Sequence, residues 1–131
     1  MNRPITFDDF QPGAVIGEAE QIYDAALSER WQRIFGSDAA DGPAENASLA
    51  TVMMMRAYLA VVTPRPPGNV HARQRLSLKS LPRPGETIRN VVSCLTKEMR
   101  RGRRYVELTV TGQGGDGRAI YDATLTLIWA A

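Results

Sequence analysis

The stretch "ENASLATVMMMRAYLAVV", residues 45–62, restricts the fold more than any other part of the chain. Leu49, Val52, Met53, Met54, Met55, Leu59 and Val61 occupy every face of the helix that this run predicts. A helix that is apolar all round has to be surrounded, by lipid or by protein. Arg56 interrupts the run and Thr63-Pro64 ends it, short of the roughly 18–20 apolar residues that a bilayer span needs. A helix over about 46–62 wrapped by protein is therefore predicted. Asn46 or Ser48 caps it, and Glu45 sits favourably at the positive end of its dipole.

The rest of the chain supplies the wrapping. "FDDFQPG" (7–13) reads as a turn that launches a strand, Ala14 to Tyr23. Ser28 is a suitable N-cap for a short helix, "SERWQRIFG", with Trp31, Ile34 and Phe35 on one face and Gly36 as its stop. From Pro64 onward the hydrophobic period changes to two. "VHARQRLSL" (70–78) places Val70, Ala72, Gln74, Leu76 and Leu78 on one face and His71, Arg73, Arg75 and Ser77 on the other. "PRPGE" turns the chain into "TIRNVVSCLTKEMRR", and "RRYVELTVTGQ" alternates Tyr105, Glu107, Thr109 and Thr111 against Val106, Leu108 and Val110. Gly114-Gly115-Asp116-Gly117 is a hairpin signal before the last strand, "AIYDATLTLIWA". One strand, two helices and about four antiparallel strands make an α+β domain over residues 1–131: an antiparallel sheet round a central helix.

Composition removes several function classes. A hydrophobic fraction of 44% with 23% charged residues is that of a globular chain and not a disordered one. One cysteine, Cys94, and one histidine, His71, allow neither a disulfide within the chain nor a Cys- or His-based metal site. "MNRPITFDDFQPG" lacks the basic-then-apolar pattern of a signal peptide, so a cytoplasmic location is expected, with no membrane partner. The charge is uneven: 4 Lys/Arg against 9 Asp/Glu up to residue 62, then 12 against 5. A basic second half suits an anionic partner. Its densest part, Arg100, Arg101, Arg103 and Arg104, is either a phosphate-binding set of guanidinium donors or a solvated hairpin turn. Only Tyr105 stands beside it, which argues against single-stranded nucleic acid. Cys94, without a nearby histidine, reads as a small apolar residue.

The long apolar helix, "VHARQRLSLKSLPRPGETI" and "RRGRRYVELTVTGQGGDGRAIYDATLTLIW" together resemble the MaoC-like branch of the hotdog-fold superfamily. The likeness is to its N-terminal-type MaoC dehydratase domains. Their strand opening His-x-x-Gln, followed by Pro-x-x-Gly-Asp/Glu, is matched by His71, Gln74, Pro82 and Gly85-Glu86, and "TFDDFQPGAVIG" is similar to their usual start. The resemblance spans nearly the whole chain, through motifs that mostly make the fold.

It implies a hotdog fold and an R-specific enoyl-CoA hydratase or dehydratase, a hydro-lyase acting on thioesters of coenzyme A or acyl carrier protein. Coenzyme A enters only as part of the substrate, and no separate cofactor is implied. It also implies a homodimer or higher homo-oligomer in which two central helices lie side by side. Active members carry Asp-x-Asn-Pro-x-His just before and into the central helix. There Asp and His hold the reacting water, and backbone amides polarise the thioester carbonyl. In "GSDAADGPAENASLA" Asp38 stands for the family's Gly-Asp, but no histidine follows, so the dyad is not intact in this chain.

Candidate catalytic residues are thus Asp38, in an acidic group with Asp41 and Glu45, and a relocated His71. The alternative for His71 is a hydrogen-bonding residue at the strand start, and for the acidic group helix capping. Asn46, Ser48 and Gln74 are candidate substrate contacts, and Arg100, Arg101, Arg103 and Arg104 candidate partners of the coenzyme A phosphates. Three functions fit: an acyl-thioester-binding hydratase or dehydratase, a non-catalytic subunit in a heteromer with an active hotdog chain, or an acyl-CoA thioesterase that uses a carboxylate alone.

Overall fold

In the computed structural model, which describes residues 3–38, 40 and 42–131, five strands and two helices follow a 3-10 turn at Phe7–Asp9. They are β1 (Val15–Ile22), α1 (Ala25–Phe35), α2 (Pro43–Val61), β2 (Val70–Leu78), β3 (Thr87–Arg100), β4 (Arg103–Gln113) and β5 (Ala119–Trp129). The strands form one antiparallel sheet in the order β1-β3-β4-β5-β2, in which β3-β4 and β4-β5 are the hairpins that the sequence signals and β1 and β2 join by longer connections.

The helix starts differ from the sequence expectation. Asp24, and not Ser28, caps α1: its carboxylate accepts from Leu27 N at 3.0 Å. Gly36 ends the helix at φ 89°, as expected, because a residue without Cβ adopts that conformation freely. Trp31 is buried, whereas Ile34 and Phe35 are exposed. α2 begins at Gly42 and Pro43, where the missing proline N–H is no loss. Asn46 and Ser48 therefore lie inside the helix and cap nothing, and Ser48 Oγ donates back to Ala44 O at 2.7 Å.

α2 packs on the inner face of the sheet, chiefly against β1 and β3. Met53, Met54 and Ala57 meet Ile88, Val92, Val106, Leu108, Val110, Leu125 and Leu127 in a fully buried core. The contact is close at Gly17, where a Cβ would come within 2.9 Å of Val61. Of the apolar residues predicted all round this helix, those on one flank stay bare: Val52 is 37% exposed and Leu59 43%. The chain's own sheet covers only one side.

Two bulges redistribute side chains that simple alternation would have placed elsewhere. On β3 the register shifts at Leu95. On β2 it shifts between His71 and Arg73, so His71 faces Leu127 while Arg73 faces Thr126. Leu127 and Leu125 point under the helix, and Gln74 is opposite Leu125. The extra residue, Ala72, thus puts His71 on the inner face with Gln74, Leu76 and Leu78, and separates it from Arg73 and Arg75.

Candidate functional site

The resemblance directs attention to the first turn of α2, and there the chain buries a carboxylate. Glu45 is at the third helical position and fully buried, and Tyr23 beside it is 1% exposed. Tyr23 directly follows β1 and is fixed by backbone bonds to the "PRPGE" turn: its N–H donates to Glu86 O at 2.9 Å, and its carbonyl accepts from Gly85 N at 2.7 Å. Its hydroxyl reaches Glu45 Oε2 and, at 2.8 Å, Asn46 Oδ1. From α1, Ser28 Oγ and Gln32 Nε2 donate to Glu45 Oε1 at 3.0 and 3.1 Å, and Gln32 also donates to Ser28 Oγ at 2.8 Å. A carboxylate removed from water is costly unless donors compensate it, and here three side chains do. The α2 dipole adds a favourable field.

Of this cluster, Tyr23, Ser28 and Gln32 line a cleft of about 410 Å³ between α1 and Pro84-Gly85. The turn is held in place from behind. Arg118, its side chain 21% exposed, donates to Glu86 at 3.0 Å, Leu81 O at 3.1 Å, Ser80 Oγ at 3.0 Å and Asp116 at 3.1 Å. A Cβ on Gly114 would stand 2.3 Å from Glu86 Oε2, so that glycine makes room for the clip.

The residues singled out from sequence are not gathered into one site. Asp38 is exposed in the turn after α1 and its side chain makes no hydrogen bond among the described residues, and Asp41 lies outside the described residues. His71 is exposed on edge strand β2, and its side chain makes no hydrogen bond among the described residues. Gln74 shares its face and is also exposed. Asn46 joins the Tyr23–Glu45 cluster, whereas Ser48 lies on the exposed flank of α2.

Strand alternation splits the four arginines. Arg100 and Arg103 are cross-strand partners on the outer face, Arg101 is in the turn at φ 52°, and Arg104 is opposite Met99 and Trp129 on the inner face. Arg100 is committed to Glu98 and stacks 4.7 Å from the Tyr105 ring, and Arg104 reaches Ala130 O at 3.4 Å. Arg101 and Arg103 make no ion pair among the described residues. Cys94 is 1% exposed, and burial pushes its thiol pKa up, against a smaller opposing pull from Lys97. A thiol held protonated is no nucleophile.

Glu45 as the centre of a buried network was not foreseen. The signal was present: in the motif Asp-x-Asn-Pro-x-His the histidine stands two residues after the proline, and two residues after Pro43 this chain has Glu45.

No family model matches the chain, and no curated protein matches it in sequence. Solved structures do. A MaoC-like dehydratase from Rhodospirillum rubrum superposes with a TM-score of 0.76 at 15% identity, covering 95% of this chain and 96% of that one. The R-hydratase PhaJ1 from Pseudomonas aeruginosa gives 0.74 at 15% identity, covering 96% and 86%. A chain of the ChsH1-ChsH2 complex from Mycobacterium tuberculosis gives 0.67 at 17% identity, covering 92% and 98%. Likeness at such identities reports on architecture alone, and the architecture is the hotdog fold that these proteins share.

Proposed function

We propose that the protein binds an acyl thioester of coenzyme A or acyl carrier protein within a paired hotdog assembly of the hydratase/dehydratase type. In this reading it contributes binding surface and shape, while a companion chain supplies the Asp–His pair that handles the water. The observation that carries the proposal is the first turn of α2. Where the resemblance implies a histidine there is Glu45, fully buried and already accepting from Tyr23, Ser28 and Gln32. A general base needs a lone pair within about 2.6–3.2 Å of the reacting proton. A sealed carboxylate whose oxygens are occupied is a clamp instead. The similar folds support the same direction, since one is an R-hydratase and another belongs to a two-component complex. Arg101 and Arg103, uncommitted on the β3–β4 hairpin, are the arginines best suited to the phosphates of coenzyme A.

The test is to purify the chain alone and to measure crotonyl-CoA binding, its hydration and the release of free coenzyme A on the same sample. Binding without turnover, with hydration appearing only when an active hotdog chain is co-expressed, is the expected result. Hydration by the isolated chain that falls a hundredfold in His71→Ala would show a relocated catalytic histidine and overturn the reading. Release of free thiol would assign a thioesterase.

A further inference from the structure

The bulges of β2 and β3 serve the same cross-strand row on the outer face of the sheet. The row runs Arg73 on β2, Thr126 on β5, Glu107 on β4 and Thr96 on β3. Continued without a bulge from His71 opposite Leu127, the β2 ladder would set Ala72 against Thr126. Continued from Cys94 opposite Leu108, the β3 ladder would set Leu95 against Glu107. Each bulge thus puts a polar residue where an uninterrupted ladder puts an apolar one. A bulge disrupts its ladder and re-aims side chains, so two that complete one row point to a site.

The row lines a depression of about 470 Å³, together with Glu98, Arg100 and Tyr105. That is the size of a small-molecule site. Its charges are of both signs, and two of them cancel: Arg100 pairs with Glu98 and stacks on the Tyr105 ring. Two remain. Glu107 is half-buried and accepts from Thr96 Oγ on one oxygen and Thr126 Oγ on the other, each at 3.1 Å. Neither Glu107 nor Arg73 makes an ion pair among the described residues. They stand on strands separated by β5 alone, with backbones about 9–10 Å apart.

This pattern discriminates by charge. A polyanion meets the carboxylates, and a simple amine meets the guanidinium groups. A zwitterion finds a partner for each of its charges. The threonine hydroxyls take one lone pair on each Glu107 oxygen and leave others for an ammonium N–H. A free guanidinium receives a carboxylate through paired N–H donors. The two side chains span most of the gap between their strands, so the ligand's charges have to lie close together. We propose that this depression binds a free α-amino acid, its ammonium on Glu107 and its carboxylate on Arg73. The site lies outside the Tyr23–Glu45 cluster and adds a second class of ligand to the thioester.

Titration calorimetry of the full chain with the common amino acids, each singly, tests the assignment. At least one should bind with a Kd of about 1 mM or tighter. Its methyl ester, which lacks the carboxylate charge, and its N-acetyl derivative, which lacks the ammonium, should each bind about tenfold more weakly. Arg73→Gln should weaken the parent amino acid by about the same factor and leave the ester unaffected. Glu107→Gln should do the same to the parent and leave the N-acetyl derivative unaffected. The two derivatives decide the question on wild type alone if Glu107→Gln does not fold. Excess crotonyl-CoA should not displace the amino acid. Binding of none of them, equal binding of parent and derivatives, or displacement by crotonyl-CoA would overturn the proposal.

Discussion

Glu45 is the residue on which the candidate site turns, and its neighbours say what its loss would do. Glu45→Ala removes the carboxylate that the Tyr23 hydroxyl, the Ser28 hydroxyl and the Gln32 amide share, leaving Asn46 Oδ1 as an acceptor for Tyr23 and Ser28 Oγ for Gln32. A hydrogen bond to a charged group is worth about 1.5–3 kcal/mol, so the variant should lose a few kcal/mol and melt about 10 °C below wild type. Glu45→Gln keeps the volume but turns one acceptor into a donor that faces other donors, and should fall between the two. Melts of both variants that match wild type would show that the network holds nothing together. His71 is the opposite case: exposed and without a side-chain hydrogen bond among the described residues. His71→Ala should change stability by no more than about 0.5 kcal/mol and leave thioester affinity within a few-fold, both measurable by calorimetry.

At the scale of elements, three adjacent strands are keyed by one row of inner-face residues. Asn90 on β3 is opposite Gly112 on β4, which is opposite Tyr121 on β5. The Tyr121 ring crosses above Gly112, where a Cβ would come within 2.5 Å of Cζ, and its hydroxyl donates to Asn90 Oδ1. Asn90 Nδ2 in turn donates to Ile88 O at 3.2 Å and Ala19 O at 3.3 Å. Gly112→Ala should therefore destabilise by about 1–3 kcal/mol through overpacking, and a double-mutant cycle with Tyr121→Leu should show strong coupling. Additive effects of the two substitutions in urea unfolding would contradict the arrangement. Burial raises the Tyr121 phenol above its ordinary pKa, with the bond to Asn90 pulling less strongly the other way. The stability from a phenol kept neutral is fully present below its unfolded pKa of about 10 and is lost as pH rises through the folded value. Stability measured from about pH 9 to 11 should fall more steeply in wild type than in Tyr121→Phe.

At the scale of the whole molecule, the uneven charge is spread over more than one surface. The basic second half divides into Arg73 and Arg75 on the β2 edge and the arginines of the β3–β4 hairpin, themselves on opposite faces. A single thioester cannot meet both faces of that hairpin. Arg103→Ala should weaken coenzyme A thioester binding about tenfold, the worth of one charge-assisted bond, while Arg104→Ala should have a much smaller effect. The Arg103 contribution should shrink with added salt, since exposed charges are screened over about 8–10 Å. Equal losses from both substitutions, seen by titration calorimetry at two salt concentrations, would refute the split.

The sequence by itself determined whatever depends on near neighbours. The two-residue period of β4, the glycine hairpin at 114–117, the stop at Gly36 and the apolar run of α2 are local signals, and each became the element it announced. Three features needed the folded chain. One extra residue at Ala72 reverses the facing of everything before it, and nothing local distinguishes a bulged strand from a regular one, so His71 changed sides. The caps of both helices moved, because several polar residues compete near each start and tertiary packing selects between them. Glu45 read as an acid suited to the positive end of a helix dipole. It became the buried centre of a network because α1 folds over it and β1 delivers Tyr23 to it, from residues up to 22 positions away in the chain. Periodicity carries information over a few residues, whereas burial of a polar group is decided by which distant donors arrive to satisfy it.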